Sequence, residues 1–389
     1  MGPVSRRPRV LLVSHTYLHG GYEGKLQALA DQVTLRLCLP EHFFNDYGSP
    51  MAAPRGERYE LALYPPWFPI KKRSSTRWVL ASLDLGMRRF QPDIVHIENE
   101  IHSFVVFQAL AQRRLFAPHA KIVVFFWNNL PLAGRKALPL RVLTALARPR
   151  IALFFAGNQA GRELLLREGV SPKRVIVLPA FGIDRAWVRT LSPEQRAQRR
   201  RAYGIGEEEV VLLYVGRFVP EKGIDDLLAA LRFLAHEGPP VRLLCVGDGP
   251  MKPLLLASAP LAQVYSPGGR EAVQPFYEAA DLLVLPSRTT PNWAEQFGRV
   301  LVEAMAVGVP AIGSSSGAIP EVIGDPALIF PERDPAALAQ LIDRLRRDPA
   351  RRLSAGRAGQ ERVVRQYTNE VIAARTVEAY RALLNGDLS

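Results

Sequence analysis

The chain has 389 residues, 48% hydrophobic and 22% charged, with a formal net charge of +13 and two cysteines. That length exceeds one ordinary core and fits two domains, and the composition is globular, not disordered. Two cysteines exclude a disulfide framework or a many-thiolate zinc site, and no apolar run is long enough to cross a membrane as a helix.

Arg9 to Val13 reads as the first strand. The apolar run Val10 to Val13 behind Arg6, Arg7 and Arg9 is too short for a signal peptide. A polar loop with His15, His19 and Gly20-Gly21 follows, where the glycines either let backbone approach a phosphate or simply make a turn. Lys25 to Gln32 is a short helical run, and Val33 to Leu39 alternates as a strand. Trp78 to Phe90 is helical in pattern, and Pro92 to Ile97 is a buried strand with His96, Glu98 and Glu100 clustered at its end. Ser103 to Leu115 and Arg162 to Glu168 are expected helices, and Ala120 to Trp127, Ile151 to Gly157 and Val175 to Pro179 expected strands. Cys38 and Cys245 lie in apolar runs and read as reduced core residues of a cytoplasmic protein.

Asp184 to Gly206 is polar, rich in Arg and without strand pattern, so the domain linker is expected there. Alternation then restarts: strand Val210 to Val215, helix Ile224 to Ala235, strand Val241 to Val246, helix Val273 to Ala280, strand Leu282 to Pro286. A helix over Val300 to Val307, strand Pro310 to Gly313, helix Pro335 to Arg347 and a helical tail from Pro349 to Leu384, broken at Tyr367, complete the chain. Two successive units of this kind predict an α/β protein with two Rossmann-like domains. Ligands in such sheets sit beyond the carboxyl ends of the strands, so a site in a cleft between the domains is expected.

Within this frame, Gly216-Arg217 to Glu221-Lys222-Gly223 follows a strand and precedes a helix. Gly216 permits a tight turn, and the two cations suit a diphosphate; an ordinary solvated loop reads the same way. Gly247-Asp248-Gly249-Pro250 lacks the third glycine of a dinucleotide fingerprint and reads as a plain strand-to-helix turn. Glu295 and Glu303 flank the start of a helix, with Gln296-Phe297-Gly298 between loop and helix. A helix start offers unpaired N–H groups and a partial positive charge to a phosphate. Two carboxylates eight apart stand about 80° apart around a helix and can address two parts of one polyhydroxylated ligand. A helix-stabilising Glu followed by one on a solvated face gives the same spacing. There is no phosphate-binding G-x-x-x-x-G-K-[ST] loop, no H-E-x-x-H, no G-x-S-x-G and no Asp-x-Asp.

These residues resemble a known family. Glu295 and Glu303, the run from Ala304 to Gly313, the run from Gly317 to Ile323, and the Gly216-Arg217…Glu221-Lys222-Gly223 loop together are similar to retaining glycosyltransferases of family 4, the glycosyl transferases group 1. The likeness is strong over 210–330 and continuous but weaker over the first half. It implies a GT-B fold: an acceptor domain over 1–183, a nucleotide-sugar donor domain over 184–365, and a terminal helix over 366–389 that crosses back to the first domain. It implies metal-independent transfer with retention and no cofactor beyond the nucleotide-diphosphate sugar. By the same resemblance, Glu295, Arg217 and Lys222 are the catalytic set. Gly216, Arg217 and Lys222 meet the diphosphate, Glu295 the donor sugar, Glu303 the ribose, and the N–H groups of Gln296, Phe297 and Gly298 the sugar or distal phosphate. Gly20, Gly21, His96, Glu98, Glu100 and Asn128 are expected on the acceptor side. Two departures stand out: Gln296 occupies a usual glycine position, and Trp127-Asn128 stands where many members place a His.

Residues 1–180 carry 25 Lys and Arg against 12 Asp and Glu, whereas 181–389 carry 25 of each. The basic half pairs aromatics with cations at Pro65 to Arg73, Arg77-Trp78, Arg88-Arg89-Phe90 and Arg113 to Phe116, which fits peripheral attachment to an anionic membrane surface, with a lipid-linked or glycan acceptor. No nucleic-acid recognition motif is present. A solvated basic face explains the same composition. Other functions remain open at this point: a sugar-nucleotide epimerase of similar build, and a non-catalytic sugar-nucleotide binding protein, to which Trp127-Asn128 points.

Overall fold

Short runs of Val, Leu, Ile and Phe, covered on both faces, form the two parallel sheets that organise the chain. The computed structural model describes residues 6–18, 22–41, 53–54, 56, 58–67, 76–132, 134, 137–234, 238–266, 268 and 270–388. The chain divides into two compact units: Met1–Gly182 with Asn369–Ser389, and Ile183–Thr368.

The first unit contains β1 (Arg9–Val13), α1 (Glu23–Ala30), β2 (Thr34–Pro40), β3 (Glu60–Tyr64), α2 (Met87–Phe90), β4 (Ile94–Ile97), α3 (Phe104–Phe116), β5 (Lys121–Phe126), α4 (Ala137–Ala147), β6 (Leu153–Ala156), α5 (Gln159–Arg167) and β7 (Val175–Val177). Its sheet has the order β3-β2-β1-β4-β5-β6-β7, with every recorded pairing parallel. The second unit contains α6 (Pro193–Ala202), β8 (Val210–Val215), α7 (Ile224–Phe233), β9 (Val241–Val246), α8 (Lys252–Leu256), β10 (Ala262–Tyr265), α9 (Arg270–Ala279), β11 (Leu282–Leu285), α10 (Arg299–Ala306), β12 (Ala311–Ser314), α11 (Ile319–Ile323), β13 (Ile329–Phe330), α12 (Pro335–Arg346) and α13 (Pro349–Gln366). Its order is β10-β9-β8-β11-β12-β13, again parallel. The last helix, α14 (Asn369–Asn385), returns to the first unit, packs against α1 and buries Ile372, Val377 and Tyr380 there.

Two expectations fail for tertiary reasons. Only Met87–Phe90 of the Trp78 to Phe90 run is helical. Leu85 and Gly86 take left-handed backbone angles (φ 49° and 75°), which an α-helix cannot continue through. Ahead of them, the Gln108 side chain accepts from the Leu80 N–H (3.0 Å) and donates to the Leu80 carbonyl (2.7 Å), so a partner outside the segment takes its backbone groups. The Arg-rich stretch from Asp184 is not a free linker either. Ser192 and Gln195 form a capping box that starts α6. Its Arg199 and Arg196 pair with Glu278 (2.7 Å) and Asp281 (2.9 Å), tying the helix to α9 and the start of β11.

Candidate functional site

In the second unit the chain proceeds outward from β8 to β10, then returns to the other side of β8 as β11. The loops leaving β8 and β11 therefore diverge, which opens a crevice at the carboxyl ends of those strands. The sequence-predicted residues Gly216, Arg217, Lys222, Glu295, Gln296, Phe297 and Gly298 all lie on these two loops.

Glycine lets the loops touch. Gly223 has φ +66°, and a Cβ there would stand 1.9 Å from the Pro286 carbonyl oxygen. The Arg288 N–H donates to the Glu221 carbonyl at 2.8 Å and fastens the same junction. Lys222, one residue before Gly223, thereby reaches across: its Nζ lies 2.6 Å from Glu295 Oε2. Ser287 Oγ donates to the same oxygen at 2.9 Å, and the Trp293 ring lies 4.8 Å from the ammonium. The Lys222 and Glu295 side chains are 14% and 9% exposed, so the pair is largely shielded yet reachable. The Glu295 backbone is held separately. Its carbonyl accepts from the Ala318 N–H at 2.9 Å, and a Cβ on Gly317 (φ +52°) would come within 2.1 Å of that carbonyl.

Glu303 is buried on α10, where Tyr277 OH donates to Oε2 at 2.7 Å and Arg299 Nε stands 3.1 Å from Oε1. Gly298, in left-handed conformation, starts this helix without a side-chain cap. Gln296 is exposed before it, and Phe297 meets Tyr367 edge-on at 5.6 Å. Arg217 is half-buried, and its carbonyl accepts from Tyr214 OH at 2.8 Å. The Gly247-Asp248-Gly249 turn walls the loop: the Phe218 N–H donates to the Asp248 carbonyl at 2.8 Å. Ser287, Trp293 and Tyr277 were not singled out from sequence. Isolated residues of these types carry no spacing signal, and only the strand order brings them to Lys222, Glu295 and Glu303.

In the first unit, the residues at the end of β4 do not form one open cluster. His96 is 1% exposed inside the core, with Nδ1 2.6 Å from Tyr380 OH of α14. Burial, then the Lys25 ammonium, holds its pKa well below the usual histidine range. Glu98 is fully buried: Lys25 Nζ lies 3.0 Å from Oε1 and also donates to the Ala180 carbonyl at 2.7 Å, while Tyr17 OH donates to Oε1 at 3.1 Å. His96 and Glu98 thus knit β4, α1 and α14 together rather than line a surface. Glu100 is different. Burial pushes its carboxyl up to about 8 against the N–H groups of Asn128 and Trp127, and its Oε2 is enclosed with no hydrogen-bond partner among the described residues. Asn128 is half-buried, with its carbonyl against Gly161. Gly20 and Gly21 lie outside the described residues.

Residues 195–362 match the family model of glycosyl transferases group 1. The D-inositol 3-phosphate glycosyltransferase of Segniliparus rotundus is 33% identical over 231 residues, covering 55% of this chain and 48% of the relative. The N-acetyl-alpha-D-glucosaminyl L-malate synthase of Bacillus anthracis is 31% identical over 196 residues, covering 49% and 50%. The chain spans about half the length of the curated relatives it matches. Among solved structures, Anabaena Alr3699/HepE in complex with UDP aligns with TM-score 0.72 at 18% identity, over 95% of this chain and 99% of that one. Sucrose-phosphate synthase from Thermosynechococcus elongatus aligns with TM-score 0.70 at 21% identity, over 98% and 100%. The fold is GT-B, with two Rossmann-like units.

Proposed function

We propose that this chain is a glycosyltransferase that moves a sugar from a nucleoside-diphosphate sugar to an acceptor, with retention of configuration and without a metal ion. The observation that carries the reading is the Lys222–Glu295 pair, 2.6 Å apart where the loops after β8 and β11 meet. Two solved GT-B structures support the donor class: Alr3699/HepE is described in complex with UDP and with UDP-glucose. An ammonium carries three donors, and Glu295 occupies one, so Lys222 has hydrogens to offer a diphosphate. Arg217 grips the same group from the loop start, and the uncapped α10 N-terminus adds backbone N–H groups and dipole. Those three sources of positive potential do the work that a metal does elsewhere.

Glu295, oriented by Lys222 and Ser287, accepts hydrogen bonds from the donor sugar. Glu303, oriented by Tyr277 and Arg299, accepts from the ribose hydroxyls. In the transfer step the bond from anomeric carbon to phosphate oxygen breaks, and the acceptor oxygen bonds the same carbon on the same face. The acceptor's proton passes to the departing phosphate oxygen. No histidine base is required, in keeping with Trp127-Asn128. The exposed Gln296 side chain beside Glu295 is a determinant of donor choice. The basic first unit lies against the anionic inner face of a membrane, where a lipid-linked or glycan acceptor is met.

A thermal-shift screen with UDP, GDP, ADP and their sugars tests the reading. A ligand at a hundred times its dissociation constant stabilises the fold by about 2.7 kcal/mol. One nucleotide series should raise the melting temperature, and turnover should survive EDTA. No shift with any nucleotide would overturn it.

A further inference from the structure

Helix α4 (Ala137–Ala147) turns large apolar residues outward. It buries Ala137, Thr144 and Ala147, while Leu138, Val142 and Leu146 are 70%, 52% and 52% exposed. Spaced four apart, these three form one row along the helix. A helix on a water-facing surface turns its large apolar side chains inward; here the fully buried positions are small residues, Leu140 and Leu143 are half-buried, and a row of three large ones faces out. Leu115, in the last turn of the neighbouring α3, adds a fourth outward apolar side chain at 71% exposure.

The surrounding charge is predominantly positive, with Glu168 an acid near Arg141 and Arg148. Residues 101–150 contain eight Lys and Arg and no Asp or Glu. Arg141 on the helix, Arg150 just past it and Arg114 beside Leu115 are exposed. An apolar row in a cationic stretch, residues 101–150, that contains no acid of its own complements a surface that is hydrocarbon beneath and anionic on top. A second copy of the chain fits poorly, because self-association would bring two cationic rims together. The aromatic segments singled out from sequence serve this less well: Trp78 is fully buried, and Phe68 to Arg73 lie outside the described residues.

We propose that α4 is the membrane-docking element: Leu138, Val142 and Leu146 enter the headgroup–acyl boundary of an anionic bilayer while Arg141 and Arg150 meet lipid phosphates. This deepens the membrane reading above and rests on it, but not on the transferase chemistry. Cys38 and Cys245 are both fully buried, so Leu138→Cys provides an accessible thiol for a polarity-sensitive dye. In the full chain, the dye emission should shift to the blue on phosphatidylcholine vesicles containing phosphatidylglycerol and stay unchanged on phosphatidylcholine alone. In co-sedimentation, the combined Leu138→Gln, Val142→Gln and Leu146→Gln variant should lose about tenfold or more of its partitioning, with its melting temperature and its nucleotide-induced shift unaltered. Failure of the native chain to sediment with anionic vesicles would overturn the proposal. So would equal sedimentation of the variant, binding without a dye shift, or loss of self-association as the variant's only change. A missing nucleotide shift would count against the transferase reading alone.

Discussion

Lys222→Ala removes the cation that stands 2.6 Å from Glu295. Two effects follow and separate in measurement. The Glu295 carboxylate, 9% exposed, keeps Ser287 but loses its counter-charge. A charge-assisted hydrogen bond contributes about 1.5–3 kcal/mol, and breaking a fully buried pair costs more. With Lys222 itself 14% exposed, water relieves part of the loss, so we expect a destabilisation of about 1–3 kcal/mol in urea unfolding. The second effect is on the ligand: nucleotide-sugar affinity should fall tenfold or more, about 1.4 kcal/mol, by titration calorimetry. The cycle with Glu295→Ala distinguishes a functional pair from two independent residues. The double variant should recover part of the stability lost in Lys222→Ala, because the carboxylate that had lost its ammonium is gone. Its coupling should fall within about 0.5–3 kcal/mol. Additive stabilities, together with unchanged donor affinity in Lys222→Ala, would refute both the pairing energetics and the site.

Glu303→Ala should weaken donor binding or turnover about tenfold, and Tyr277→Phe by a smaller factor at a stability cost of about 1 kcal/mol, since it removes one donor from a retained carboxylate; unchanged kinetics in both would remove Glu303 from the site. Gly223→Ala forces a side chain into a left-handed position 1.9 Å from a backbone oxygen, so stability should drop by about 2 kcal/mol or more and donor affinity with it; a variant equal to the native chain in denaturation would refute the close approach. Glu100 holds its proton to about pH 8 when folded and releases it near 4.5 when unfolded. Its stabilising contribution is therefore complete below about pH 4.5 and is lost as pH rises to about 8. Glu100→Gln should flatten that slope and gain roughly 1 kcal/mol or more on the native chain by pH 8, and parallel melting curves from acid to pH 8 would contradict the burial of this carboxyl.

Most of the regular elements were legible because continuous apolar runs between polar turns have one economical solution, the doubly covered parallel strand. The short strands β3, β10 and β13 escaped notice: two to five residues at or near a sheet edge carry too little periodicity to separate them from loops. The Trp78 to Phe90 misreading has the same root, since Gln108, distant in sequence, decides where the Leu80 backbone groups bond.

For the site, the residues on the loops were readable from their chemistry. Cations after β8 and carboxylates around the start of α10 are local facts, set by residue type next to a strand end or a helix start. Which of them meet was decided by tertiary structure. The strand order that sets β11 beside β8, and the bare Cα of Gly223 against Pro286, bring Lys222 to Glu295. The same folding took His96 and Glu98 away from the surface, because α14 and α1 return to cover the end of β4 and supply Tyr380 and Lys25. A sequence states which side chains can form an ion pair. Pairing across 73 residues depends on how the loops are stacked, and no local pattern contains that information.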